Sequence, residues 1–248
     1  MTTLLAVDDA HITYRHGRET IQAVRGVTFN VPEGRACGIV GESGSGKSSL
    51  ARAITGLVPL SKGRIAVRGM APVTRSGPGG VRMIFQDPIG SLNPRRRLID
   101  IVAEPLRIAG TSTSVARKIA ARMLQEVGLD PATFGTRRPG DISGGQAQRI
   151  AIARALVAEP TVLVADEPVS GLDVSIQAGI INLLHALTTR QGTALVLISH
   201  DLSVVQTLCD HVVVLNNGLV QEQGNIREVF TNRNNAYTRQ LISAAPDF

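Results

Sequence analysis

The chain has 248 residues, 43 % of them apolar, which is enough material for a sizeable buried core. Aromatics make up only 3 % and Trp is absent, so packing rests on Val, Ile, Leu and Ala, as in α/β proteins with buried parallel strands. The formal charge is +6, but only three residues are Lys (Lys47, Lys62 and Lys118), and the one tight basic cluster, Arg95 to Arg97, is too short for a nucleic-acid arm and has no interleaved aromatics. No apolar stretch approaches the roughly 18 residues needed to cross a bilayer. Met1 to Ala10 has two Asp and no basic region, so it does not read as a secretory signal, and a cytosolic chain is expected. Cys37 and Cys209 match no metal spacing and read as buried thiols.

In chain order, Leu5 to Tyr14 and Val24 to Val31 read as strands, followed by a turn at Pro32, Glu33 and Gly34. Arg35 to Val40 is a third strand, leading through a glycine-rich segment into a helix from Lys47 to about Leu57. Pro72, Ser76, Gly77, Pro78 and Gly79 mark a loop, after which Val81 to Phe85 is a strand ending at Gln86. From Asp87 to Glu159 the pattern turns helical, in Ile99 to Ile108 and Val115 to Val127, and reads as an insertion. Thr161 to Ala165, a helix from Ser175 to Leu187, and Thr193 to Ser199 then form a βαβ unit. Strands at His211 to Leu215 and Gly218 to Glu222 precede a polar, helical C-terminal segment.

Several segments carry chemistry. Gly41, Glu42, Ser43, Gly44, Ser45, Gly46, Lys47 and Ser48 fit G-x-x-x-x-G-K-[ST] between a buried strand and a helix. Glycines let the backbone N–H groups wrap phosphate, Lys47 bridges the outer phosphates, Ser48 supplies a hydroxyl to Mg²⁺, and Ser49 continues the cradle into the helix. An acidic pair, Asp166 and Glu167, ends the apolar strand from Val162. On an extended chain the two point oppositely, so Asp166 would hold Mg²⁺ while Glu167 polarises the attacking water. Gln86 would sense the γ-phosphate and Mg²⁺, because an amide both donates and accepts. His200 would reach the γ-phosphate or position Glu167. Ser143 reads as the N-cap of a helix running to about Ala158, with Gly144 and Gly145 leaving its first N–H groups uncovered and Gln146 beside them. That is a second anion site, which most economically serves a nucleotide held by another subunit.

With these residues in hand, the chain resembles the ABC transporter ATP-binding subunits over nearly its whole length. The resemblance rests on the phosphate loop, the Q-loop at Gln86, the signature at Ser143 to Gln146, the Walker B strand ending in Asp166 and Glu167, the D-loop at Ser170 to Asp173 and the switch histidine His200. It implies an α/β fold: a P-loop NTPase core with an antiparallel β subdomain and an inserted helical subdomain. The expected organisation is one ATP-binding domain over residues 1–248. Its core would be 1–86 and 160–230, its helical subdomain 87–159 and its tail 231–248. Tyr14 would stack on adenine, and Asp173 would join the nucleotide site. Phe85 to Pro88, Ser91 to Pro94, and Tyr237, Thr238, Arg239 and Leu241 resemble the dipeptide, oligopeptide and nickel importers. The resemblance implies Mg²⁺-dependent ATP hydrolysis at the cytoplasmic face of the membrane. Expected partners are transmembrane permease subunits, a second ATP-binding subunit, identical or paralogous, and indirectly an extracytoplasmic binding protein, with no nucleic acid. Two rivals share the motifs: a soluble ABC ATPase acting on nucleic acid or ribosomes, and a non-hydrolysing regulatory cassette. Ile142 and Gly171 depart from the family's usual Leu and Ala.

Overall fold

The computed structural model describes residues 2–17, 19–71 and 79–244. Strands β1 (Thr3–His16) and β2 (Glu19–Pro32) lead to β3 (Ala36–Val40) and helix α1 (Lys47–Ile54), followed by β4 (Lys62–Val67) and β5 (Val81–Ile84). Four helices come next: α2 (Leu98–Ile108), α3 (Thr113–Glu126), α4 (Pro131–Phe134) and α5 (Gly144–Leu156). The chain then alternates through β6 (Val162–Asp166), α6 (Val174–Gln191), β7 (Ala194–Ile198), α7 (Leu202–Leu208), β8 (His211–Asn216) and β9 (Leu219–Asn225). It closes with α8 (Ile226–Asn232) and α9 (Ala236–Ser243).

Two sheets form. One is antiparallel, in the order β2-β1-β4; the other has six strands in the order β5-β6-β7-β3-β8-β9. In the second sheet all neighbours are parallel except β8 and β9. The pleat divides the core between its two faces. From β7, Leu195 and Leu197 join a cluster with the buried residues of α2, α3, α5, α6 and α7. Ala194, Val196 and Ile198 join the opposite cluster with α1 and the antiparallel sheet. Every residue of β3, β6 and β7 is buried, which explains why these strands read as continuous apolar runs rather than alternating ones.

The expected strands and helices are found with shifted ends. α1 stops at Ile54, three residues short of Leu57, because Thr55 and Gly56 close it. The expected loop lies partly outside the described residues, at Pro72, Ser76, Gly77 and Pro78. β4 and the short α4 have no counterpart in the sequence reading, and the polar C-terminal segment forms two helices.

The parallel order sets up the site. Ile84 pairs with Ala165, Asp166 with Ile198, and Ile39 with Ile198, so β5, β6, β7 and β3 end along one edge. Loops at the carboxyl edge of such a sheet are where ligands bind.

Candidate functional site

Between β3 and α1 the chain turns through Gly41 to Gly46 under tight constraint. Gly41 and Gly46 have φ of 147° and 104°. A β-carbon at Gly41 would sit 2.0 Å from the Leu215 carbonyl oxygen, and one at Gly46 would sit 2.3 Å from that of Ala23. Glycine is therefore required at both positions by backbone approach. Gly46 caps α1, so the first N–H groups of that helix face the turn. Lys47 is buried, and its ammonium donates to the carbonyls of Gly41 and Glu42, each at 2.7 Å, and to Ser45 Oγ at 3.4 Å. Burial pushes its pKa down, while the nearby Glu167 and Asp166 oppose that shift.

Opposite the loop stands the end of β6. Asp166 is 7 % exposed, and burial raises its pKa, opposed chiefly by a hydrogen bond from the Ser48 hydroxyl. Glu167 does not continue the extended strand: its φ is 47°, in the left-handed region. The separation of the two carboxylates thus comes from a backbone reversal rather than from strand alternation. Three bonds hold that conformation: the Glu167 N–H donates to Ile198 O at 2.9 Å, and Glu167 O accepts from the Ser170 N–H and hydroxyl, each at 3.2 Å. A non-glycine residue in this region costs on the order of 1–3 kcal/mol and persists only where its surroundings fix it.

Both oxygens of the Glu167 carboxylate are engaged. Gln86 Nε2 donates to Oε2 at 2.8 Å, and His200 Nδ1 lies 3.1 Å from Oε1. The strand ends of β5, β6 and β7 therefore converge on one carboxyl group. A carboxylate has about four lone-pair sites, so capacity remains to accept a proton from water. Because Gln86 spends its amide N–H₂ on Glu167, its carbonyl oxygen is the atom available to a cation. Ser48, Asp166 and Gln86 together offer hard oxygen donors, the set that suits Mg²⁺, and a cation would offset the burial penalty on Asp166.

A groove of about 820 Å³ runs over the loop, lined by Ser43, Gly44, Gly46, Lys47, Ser48, Ser49, Gln86 and Glu167. Thr20, Ile21, Gln22, Ala23, Arg25 and Asn217 complete its wall. Tyr14 is not among the lining residues. Its half-buried ring packs on the core, and its hydroxyl donates to Ser49 Oγ at 3.2 Å. The exposed large apolar side chain of the groove wall is Ile21, the ladder partner of Tyr14. The sequence reading passes over this wall, although Asn217-Gly218 is a hairpin-turn signal, with φ of 49° and 77°. That turn is stitched to the site, since the Gly218 N–H donates to Ser45 O at 2.9 Å and the Arg25 N–H to Gly218 O at 2.8 Å.

The signature turn lies elsewhere: none of Ser143, Gly144, Gly145 and Gln146 lines this groove. Ser143 caps α5, its Oγ accepting from the Gln146 N–H at 3.4 Å while Gln146 Oε1 accepts from the Ser143 N–H at 2.9 Å. This capping box uses the Gln146 side-chain oxygen. Gly145 is buried, and a β-carbon there would meet Ile176 Cγ2 at 2.9 Å, so its glycine answers to packing against α6 as well as to open N–H groups. Asp173 is exposed at the N-cap of α6, without a side-chain capping bond. Gly171 has φ of 73°, which accounts for glycine where the family commonly has Ala. Ile142 packs, partly buried, on the core. Cys37 and Cys209 are buried free thiols, and burial pushes Cys37 up to about 12 and Cys209 well above its usual range, which leaves both unreactive.

The family model described as ABC transporter matches residues 24–170. The oligopeptide transport ATP-binding protein OppF of Escherichia coli (strain K12) is 47 % identical over 237 residues, covering 92 % of this chain and 70 % of that protein. Among solved structures, the ATP-binding cassette MJ0796, in a dimeric post-hydrolysis state bound to ADP and Pi, superposes with a TM-score of 0.81 at 29 % identity, covering 90 % of this chain and 99 % of that one. The cbiO1 protein of Clostridium perfringens, part of the ABC transporter complex cbiONQ, gives 0.80 at 29 % identity, covering 94 % and 92 %.

Proposed function

The chain belongs to the ABC transporter ATP-binding family, and on that premise we propose that it powers an importer of peptides, nickel or related small solutes. It is an ATPase whose hydrolysis of ATP is coupled to transport. The observation that carries the reading is the clasp of Gln86 and His200 on Glu167, facing a phosphate loop in a chain whose signature turn stands outside the same groove.

In this reading Gly41 to Ser49 bind the ATP phosphates, Ile21 flanks the adenine with Tyr14 supporting the wall from behind, and Glu167 accepts the proton of the attacking water. His200 holds Glu167 Oε1 and Gln86 holds Oε2, so the base is oriented before substrate arrives. Ser48, Asp166 and the Gln86 carbonyl would hold Mg²⁺, which supplies charge neutralisation at the phosphates. Ser143 to Gln146 and Asp173 serve the ATP of a second cassette, identical or paralogous. Residues 87–159 form the helical subdomain that contacts the permease, 1–86 and 160–230 the core, and 231–248 the tail. No helix among the described residues is long and apolar enough to cross a membrane. In the proposed assembly, attachment at the cytoplasmic face comes through the permease subunits, with an extracytoplasmic binding protein delivering solute to them. The oligopeptide relative favours peptides among the candidate solutes.

Reconstitution with the membrane subunits tests the proposal. Peptide-loaded binding protein should stimulate ATP turnover several-fold, and nickel-loaded protein should not. Stimulation by DNA or ribosomes, with no recovery of membrane subunits, would replace transport with the soluble rival.

A further inference from the structure

The phosphate loop is held from a direction its own elements do not supply. Glu42, its second residue, donates its backbone N–H to the Tyr237 hydroxyl at 3.1 Å, across 195 residues of sequence. The carbonyl of the same residue accepts from Lys47 Nζ at 2.7 Å and from the Ser45 N–H at 3.2 Å. One of the two carbonyls that seat the Lys47 ammonium thus belongs to a residue pinned through its N–H by the C-terminal helix.

Tyr237 is itself fixed in place. Asn235 caps α9 by accepting the Tyr237 N–H at 2.8 Å, and it is tied to β9 through Asn235 Nδ2 to Gln221 O at 3.1 Å and Asn235 N–H to Glu222 Oε2 at 3.3 Å. The ring packs half-buried on the main core, and the next residue, Thr238, is fully buried. Burial also raises the phenol above its ordinary range, so it remains a neutral O–H at physiological pH.

We propose that Tyr237 is a positioning residue for ATP binding: by accepting the Glu42 N–H, its hydroxyl fixes the residue on which Lys47 rests, and α9 thereby sets the affinity of the loop. The inference rests on the reading of Gly41 to Ser48 as the ATP loop. It gives Tyr237 of the Tyr-Thr-Arg segment a task at the nucleotide site.

The test compares wild type, Tyr237→Phe and Thr238→Val. The measurements are equilibrium Mg-ATP binding and hydrogen exchange at the Glu42 amide of the purified chain, and ATP turnover of the assembled pair. Tyr237→Phe keeps the ring and removes the acceptor. Kd and KM should rise about three- to tenfold, the scale of one hydrogen bond, with kcat within about twofold and faster Glu42 exchange. Thr238→Val removes a buried hydroxyl that has no hydrogen-bond partner among the described residues, and should leave Kd and Glu42 exchange unchanged. Wild-type Kd and exchange in Tyr237→Phe would overturn the proposal. So would an equal loss in Thr238→Val, which would assign the effect to tail packing. If wild type itself fails to bind Mg-ATP, the loop assignment falls, while Glu42 exchange still decides whether Tyr237 holds the loop.

Discussion

At the scale of residues, the proposed catalysis centres on one carboxylate whose two oxygens and whose backbone are all committed. Glu167 sits at φ 47° and takes Gln86 on one oxygen and His200 on the other. Glu167→Gln keeps the shape but exchanges one acceptor oxygen for an amide donor, and so removes the base. Mg-ATP binding should persist and turnover in the assembled pair should fall about 10²- to 10⁴-fold, as steady-state kinetics would measure; hydrolysis at the wild-type rate would transfer the role of base to another group. Much of this site is legible in sequence because its chemistry demands rare residues at strand ends. Gly41 to Ser48, Gln86, Asp166, Glu167 and His200 can be listed before any fold is known, and the structure brings them to one sheet edge. Ile21, Ala23 and Arg25 cannot, since ordinary residues on an antiparallel strand become groove wall only through tertiary placement. The reversal at Glu167 is equally silent, as nothing in Asp-Glu-Pro announces a positive φ.

Among the elements, the contact between α5 and α6 decides how the signature turn is presented. Gly145 lies within α5 against Ile176 of α6, and a β-carbon would come to 2.9 Å of Ile176 Cγ2, a branch that cannot swing away freely. Gly145→Ala should cost about 1–3 kcal/mol by overpacking, or roughly 2–10 °C in Tm at this chain length. Ile176→Ala in the same chain should recover part of that loss. A double-mutant cycle by thermal denaturation would read the coupling, and strict additivity would mean the two helices do not meet there. This contact also shows where pattern reading stops: the sequence marks a glycine pair after a cap, but only packing distinguishes Gly144, open to solvent on one side, from Gly145, wedged against a neighbour. Strand β4 is hidden for a similar reason. Three of its six residues are exposed, and its other half gains apolar burial only by pairing with β1.

For the molecule as a whole, one chain presents two glycine-rich helix starts that do not share a groove. The loop at α1 and Glu167 both line the 820 Å³ groove, whereas no residue at the start of α5 does. In the proposed pair, symmetry joins them, with each nucleotide between the loop of one subunit and the signature turn of the other. The structurally similar cassette MJ0796 was solved as a dimer bound to ADP and Pi. The most direct measurement is a paired assay on Ser143→Arg, comparing Mg-ATP affinity of the isolated chain with turnover of the assembled pair. The added guanidinium blocks the start of α5 without touching the phosphate loop. Affinity of the isolated chain should match wild type while pair turnover falls by at least about 10²-fold, the scale seen when charge stabilisation is lost at a reacting centre. Undiminished turnover, or a loss of affinity in the isolated chain that matches the loss of turnover, would contradict a site shared between two subunits.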